Sequence, residues 1–320
     1  MKFSCTTLQT RVLMFLLAAM ISGSLFAQKT ITIHPVKRDT ADSQKKRMQN
    51  YYSDTLFKYV PGGTSPKNPN EAEAQKLFNE ANKMAQTGNY EGAIETFSRS
   101  LALEEYTGTY MKRGYAYLLK DNFPMAIQDF TDALRLSPAN RLALLGRGIA
   151  RYQLSDYSGA QTDLQAYIDL DKKNAMAFNY MAAACFMRQD YNGALTNYDE
   201  VVKIDSTYPD IYTNRGMMRH YLRDFKGAVQ DYDRAIALKP ANPSSYNNRA
   251  AAHMMLGDFE SALTDLNKAI ELNPMYADAY DNRGRVRQKL GNLDGACQDW
   301  QTAYSLGLQT SRDLIIKNCK

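Results

Sequence analysis

Seven alanines set the frame of this chain. Ala126, Ala160, Ala194, Ala228, Ala262 and Ala296 each follow the last by 34 residues, and Ala93 precedes Ala126 by 33. A period of this length points to a unit of helix, turn and helix stacked on copies of itself. One such unit cannot bury its own apolar face. Stability must therefore come from stacking, and the end units are expected to be atypical.

Other positions keep the same register. Twelve residues before each alanine stands a small residue: Ala81, Gly114, Gly148, Ala182, Gly216, Ala250 and Gly284. Four residues earlier comes a large one: Leu77, Tyr110, Leu144, Phe178, Tyr212, Tyr246 and Tyr280. Four residues after the alanine comes another: Phe97, Phe130, Leu164, Tyr198, Tyr232, Leu266 and Trp300. A spacing of four puts the large and small residues of the first helix on one face. The small residue then admits the second helix, and the large ones fill the space beside it. Segments such as Thr87-Gly88-Asn89, Asp121-Asn122, Ser155-Asp156, Gly257-Asp258 and Gly291-Asn292 combine a helix stop with a cap for the next helix. Pro138, Pro240 and Pro274 close their units.

This pattern resembles the tetratricopeptide repeat family across residues 74–307. The resemblance implies an all-α fold, a right-handed α-solenoid of seven units at 74–106, 107–140, 141–174, 175–208, 209–242, 243–276 and 277–307. Residues 308–320 read as a C-terminal capping helix, with Leu314, Ile315 and Lys317 placed to cover the last hairpin. The first unit is the most divergent and suits a partial cap.

The chain ahead of the repeats has two parts. Residues 1–27 carry Lys2 and Arg11, an apolar run from Val12 to Met20, and a small-residue end at Ala27, which read as a secretory signal peptide. The apolar run is short for a membrane span of roughly 20 residues; an uncleaved anchor is the alternative. The Phe26-Ala27-Gln28 ending resembles export signals of Gram-negative bacteria of the Bacteroidetes type. The expectation is an exported protein of the periplasm or cell envelope. Residues 28–73 form a polar, basic linker with Pro61-Gly62-Gly63 and Pro66-Lys67-Asn68-Pro69 near its end. Met48 to Phe57 is too apolar for a pure tether and is expected to dock, in part, on the array.

Charge separates these parts. Residues 28–70 hold eight Lys or Arg against three Asp, a net of +5, while residues 71–320 hold 29 against 31, a net of −2. A repeat region without basic excess argues against a nucleic-acid groove. The Lys45-Lys46-Arg47 run is a weak signal for contact with anionic lipid or envelope polymer.

Five units carry Arg just before the small position: Arg113, Arg147, Arg215, Arg249 and Arg283. The same five carry Asp129, Asp163, Asp231, Asp265 and Asp299 just before the second-helix large residue. The unit with Met181 has Asn197 instead, and the one with Glu80 has Thr96. Joint presence and joint loss predict an Arg–Asp bridge within each hairpin, rather than a row of arginines for an anionic ligand.

In the resembled family the first helices line a concave groove for peptides or helices. Carried over one residue at a time, the partner-binding groove would hold Met111, Tyr115 and Leu118, then Leu145, Ile149 and Tyr152, then Met176, Asn179 and Phe186, then Met217, His220 and Tyr221, then Asn247 and Met254. The Lys, Asn and Arg clamp by which some members hold C-terminal carboxylates is missing. A Met- and aromatic-rich lining suits an apolar peptide or amphipathic helix. The alternative is that many of these side chains pack inside the array.

Three cysteines follow the signal. Cys297 and Cys319 flank the Gly307-Leu308-Gln309 turn at equal distance, which allows a disulfide between antiparallel helices. Cys185, among alanines, is expected to be a buried thiol. The histidines His34, His220 and His253 have no partner at a zinc spacing, and Gly146-Arg147-Gly148 lacks the strand and third glycine of a phosphate loop. No cofactor is expected. The leading reading is a non-enzymatic scaffold or adaptor for a protein or peptide. A surface-associated module tethered by residues 28–70 is the alternative, and an unrecognised hydrolase the remote one.

Overall fold

The computed structural model describes residues 67–319. The signal peptide and most of the linker lie outside the described residues. Among those described, fifteen helices and no strand are present. They form seven hairpins: α1 (Pro69–Gln86) with α2 (Tyr90–Leu103), α3 (Thr107–Leu119) with α4 (Phe123–Leu136), and α5 (Arg141–Gln153) with α6 (Tyr157–Leu170). Next come α7 (Ala175–Met187) with α8 (Tyr191–Ile204), α9 (Pro209–Tyr221) with α10 (Phe225–Leu238), α11 (Pro243–Leu256) with α12 (Phe259–Leu272), and α13 (Ala277–Lys289) with α14 (Leu293–Ser305). Helix α15 (Ser311–Asn318) follows. The fold is an α-solenoid of helix-turn-helix units. Two compact units divide at Ala241 and Asn242, the first holding α1–α10 and the second α11–α15.

Within each unit the second helix of a hairpin packs on the first helix of the next, as α4 does on α5 and α12 on α13. The seven register alanines are fully buried. So are Phe97, Phe130, Leu164, Tyr232, Leu266 and Trp300, with Tyr198 nearly so. The small positions are small because the second helix sits on them. A Cβ added at Gly284 would lie 2.5 Å from Trp300 Nε1. A second close approach joins neighbouring hairpins: a Cβ at Gly146 would lie 2.4 Å from Phe130 Cζ. In the second unit, Ala250, Ala262, Leu266, Ala269, Ala279 and Val286 make one core across two hairpins.

The turns repeat a single geometry. Gly88, Asp121, Ser155, Gln189, Arg223, Gly257 and Gly291 all take left-handed backbone conformations, with φ between 59° and 84°. The next residue (Asn89, Asn122, Asp156, Asp190, Asp224, Asp258 or Asn292) caps the second helix through its side chain. Gln189 and Arg223 carry no turn signal in their own chemistry. Their conformation is imposed by the packing of the helices on either side.

The ends differ from expectation. Helix α1 starts at Pro69, inside the stretch read as linker. Asn68 Oδ1 accepts from the Glu71 amide at 2.9 Å, and proline at the first helical position costs no hydrogen bond. Asn68-Pro69 is therefore a helix start, not a tether. At the other end, Leu314 and Ile315 are half-buried, but Lys317 is exposed and Ile316 is 70% exposed. The tie is instead polar: Ser311, fully buried, donates through Oγ to Asp281 Oδ1 at 2.6 Å. Cys297 and Cys319 are joined in a disulfide.

Candidate partner-binding face

The five Arg–Asp pairs lie between the two helices of their hairpins. Arg113 donates from Nε and Nη2 to the two carboxylate oxygens of Asp129, at 2.9 and 2.7 Å. Arg147–Asp163, Arg249–Asp265 and Arg283–Asp299 repeat this forked geometry, and Arg215 Nη2 lies 2.5 Å from Asp231. The carboxylates are buried. A guanidinium matches a carboxylate edge with two parallel bonds, which offsets the loss of water. Four arginines also reach back to the preceding hairpin with Nη1: Arg113 to Ser98, Arg147 to Thr131, Arg215 to Asp199 and Arg283 to Asn267. They thus join hairpins as well as close them.

Reading the register missed a second arginine. Arg151, Arg219 and Arg287 bond Asp163, Asp231 and Asp299 at 2.8, 2.9 and 2.9 Å. They also donate to the carbonyls of Gly159, Gly227 and Gly295. The spacing was visible, four residues after Arg147, Arg215 and Arg283, where helical periodicity brings both onto one carboxylate. In the fourth unit, one of the two that lack the pair, Met181 is buried and Asn197 folds back on the Gly193 carbonyl.

The expected groove residues divide sharply. Tyr115, Leu145, Ile149 and Asn247 are fully buried; Leu118, Met217 and Asn179 are 2%, 3% and 8% exposed. These seven offer no surface to a partner, and their place in the expected lining is corrected. Packing is the reason. First helices touch one another (α3 with α5, α5 with α7, α11 with α13), and these positions lie in the seam. Tyr115, for example, donates its hydroxyl to the Leu142 carbonyl at 2.6 Å. Asn282 donates to Asn247 Oδ1 at 3.0 Å inside the second unit.

Half-buried residues remain: Met111, Tyr152, Met176, Phe186, His220 and Tyr221 in the first unit and Met254 in the second. Those near the ends of α5, α7 and α9 build two aromatic groups. Tyr152 meets Tyr157 and Tyr180 with ring centres 5.7 and 5.5 Å apart. Tyr221 stacks on Tyr191 at 4.7 Å and touches Phe186 at 5.8 Å. Leu154 and Met187 beside them are 48% and 47% exposed. His220 packs edge-on against Phe225, its Nδ1 buried without a partner among the described residues, and burial lowers its pKa to about 4. It is a neutral, apolar contributor at neutral pH.

Chemistry is sparse here. Among the described residues no group of three or more His, Cys, Asp or Glu could hold a metal ion. Cys185 is buried, accepts from Gln161, and burial raises its pKa, so it stays a thiol. No described helix is long and apolar enough to cross a membrane.

Stacked helical hairpins with a 34-residue register define a helical-repeat protein. The chain carries tetratricopeptide repeats: profiles described as tetratricopeptide repeat match residues 111–160 and 243–276, and one described as TPR repeat matches 183–220 and 218–257. It is 29% identical over 102 residues to the tetratricopeptide repeat and J domain-containing co-chaperone DNJ1 of Cryptococcus neoformans, covering 31% of this chain and 19% of that protein. It is 35% identical over 69 residues to the human mitochondrial import receptor subunit TOM34, covering 21% and 22%. The chain thus spans about a fifth of the length of these curated relatives. Among solved structures it resembles the C-terminal part of a TPR repeat-containing protein from Cytophaga hutchinsonii (TM-score 0.60, 18% identity, 74% of this chain and 98% of that one). It also resembles a tetratricopeptide repeat protein from Parabacteroides merdae (TM-score 0.55, 16% identity, 78% and 100%). These likenesses show the fold.

Proposed function

We propose that this protein is an exported, non-enzymatic scaffold of a Gram-negative cell envelope that holds a partner protein on the ends of α5, α7 and α9. Tetratricopeptide repeat proteins serve as protein-interaction scaffolds, and the matched relatives include a co-chaperone and an import receptor. The observation that carries the site is the partly accessible aromatic and methionine surface of Tyr152, Phe186, Met187 and Tyr221. Apolar side chains on adjacent helices suit the apolar face of a helix or an extended apolar peptide, and methionine adapts to its shape. The sequence signal and the Cys297–Cys319 disulfide support export, since disulfides persist in oxidising compartments.

Affinity capture from the native envelope tests this reading, comparing the intact chain with Met187→Lys and Tyr221→Asp. Both substitutions should abolish recovery of a specific partner while leaving the helical signal unchanged. Equal recovery by wild type and variants would overturn the assignment of this face.

A further inference from the structure

The third, fourth and fifth hairpins repeat one motif at their turns. The penultimate residue of each first helix meets the first residue of its second helix, ring against ring. Tyr152 lies 5.7 Å from Tyr157, Phe186 6.1 Å from Tyr191 and His220 5.0 Å from Phe225, measured between ring centres. All six residues are half-buried. In the second hairpin the first-helix place is taken by Leu118, which is 2% exposed, so the series begins at the third. Tyr221 joins the fourth and fifth hairpins by stacking on Tyr191.

The hydroxyls on these rings are not alike. Tyr157 donates to Ser155 Oγ at 3.2 Å. Tyr152, Tyr191 and Tyr221 bond no other described residue, and their oxygens are not among those sealed from solvent. The edge therefore offers one ring pair per hairpin and three open hydroxyl donors.

The interval between ring pairs selects a ligand. Helices α5 and α7 touch, and Tyr221 of α9 meets Phe186 of α7 at 5.8 Å. Helices in contact lie about 8–10 Å apart. A polyproline II helix makes one turn in three residues and about 9.3 Å, so every third side chain returns to the same side at that interval. An extended strand does so every 6.7 Å or about that, which is too short. An α-helix matches only over two turns, and its carbonyls are already bonded within the helix. A polyproline II backbone makes no internal hydrogen bonds, which leaves its carbonyls open to hydroxyl donors. Proline rings pack on aromatic faces, and the preformed conformation loses little entropy on binding.

We propose that the ligand of this face is a proline-rich segment in the polyproline II conformation, one turn to each hairpin from the third to the fifth. Every third proline packs on a ring pair, and its carbonyls accept from Tyr152, Tyr191 and Tyr221. This rests on the reading of the face as a partner site and adds the chemical class of what it holds.

The test is fluorescence anisotropy of the intact chain with three labelled probes: nonaproline, a glycine–serine peptide of equal length, and an amphipathic α-helical peptide with leucine at heptad positions. Nonaproline should bind and the other two should not. Tyr152→Phe, Tyr191→Phe and Tyr221→Phe keep the rings and should each weaken nonaproline about fivefold, the scale of one hydrogen bond. Tyr157→Phe, whose hydroxyl is already engaged, should leave the affinity unchanged. Equal affinities in all four variants, or an equal loss in Tyr157→Phe, would overturn the assignment of the hydroxyls and with it the proposal. Binding of the helical peptide alone, abolished by Met187→Lys, would overturn the proline-rich ligand and keep the face as a partner site. Binding of none of the probes would also overturn the inference, and capture from the native envelope with Met187→Lys then decides the face separately.

Discussion

Arg147 and Asp163, on opposite helices of the third hairpin, hold each other by two hydrogen bonds at 2.9 and 2.7 Å, and Arg151 adds a third at 2.8 Å. The carboxylate is almost fully buried while both guanidiniums stay partly wet. The cost of breaking the group should therefore depend on which member is lost. Asp163→Leu leaves two cations against an apolar wall and should destabilise by about 3–5 kcal/mol. Arg147→Met should cost less, since Arg151 still serves the carboxylate. The double change should recover much of the loss, because a buried pair replaced by apolar groups is often close to neutral. Denaturant titration of all three variants checks the order.

Turn geometry offers a gain of stability. Gln189 and Arg223 adopt φ of 63°, where a side chain costs about 1–2 kcal/mol relative to glycine. Gln189→Gly and Arg223→Gly should each raise the melting temperature, with a gain of about 1 kcal/mol or less after the entropy of glycine in the unfolded chain is counted. A fall in melting temperature would show that these side chains make compensating contacts.

The close approach of Phe130 to Gly146 should act in the opposite sense. Gly146→Val forces the α4 and α5 helices apart and should cost about 1–3 kcal/mol, as overpacking does. Trp300→Ala, which empties the last hairpin instead of crowding it, should cost about 3–5 kcal/mol.

His220 predicts a pH dependence. Its pKa falls from 6.5 to about 4 on burial, so the unfolded chain binds the proton more tightly than the folded one. Its contribution is complete above pH 6.5 and is lost as pH falls toward 4. Relative to wild type, His220→Phe should therefore lose less stability between neutral pH and pH 4. Parallel curves for the two proteins in urea titrations would show that the imidazole carries no such linkage.

Reduction of Cys297–Cys319 should loosen the end of the array. A cross-link closing a loop of this size contributes about 3 kcal/mol in the chain-entropy view. Cys319→Ser should speed hydrogen exchange in α15 and α14, while α1–α10 keep their wild-type protection.

How much of this was legible in advance follows from what a linear pattern can carry. The period, the small and large positions and the paired gain and loss of Arg and Asp are written in one register, because each repeat must solve the same local packing problem. Hence the hairpins and the bridge partners could be read directly. Burial was not legible. Tyr115, Leu145, Ile149 and Met217 carry the residue types of a binding surface and sit where the family places one, yet they are buried. Nothing in the spacing separates a side chain in the seam between first helices from one a turn further along, such as Phe186 or Tyr221.

The amino-acid sequence by itself thus determined the unit, its register, its internal ion pairs and the position of its turns. These depend on neighbours along the chain or one hairpin away. Only the tertiary structure decided which apolar residues are core and which remain accessible, and that Gln189 and Arg223 bend left-handed. Those outcomes depend on how closely whole helices approach, and helix approach is a collective result of packing that no single repeat encodes.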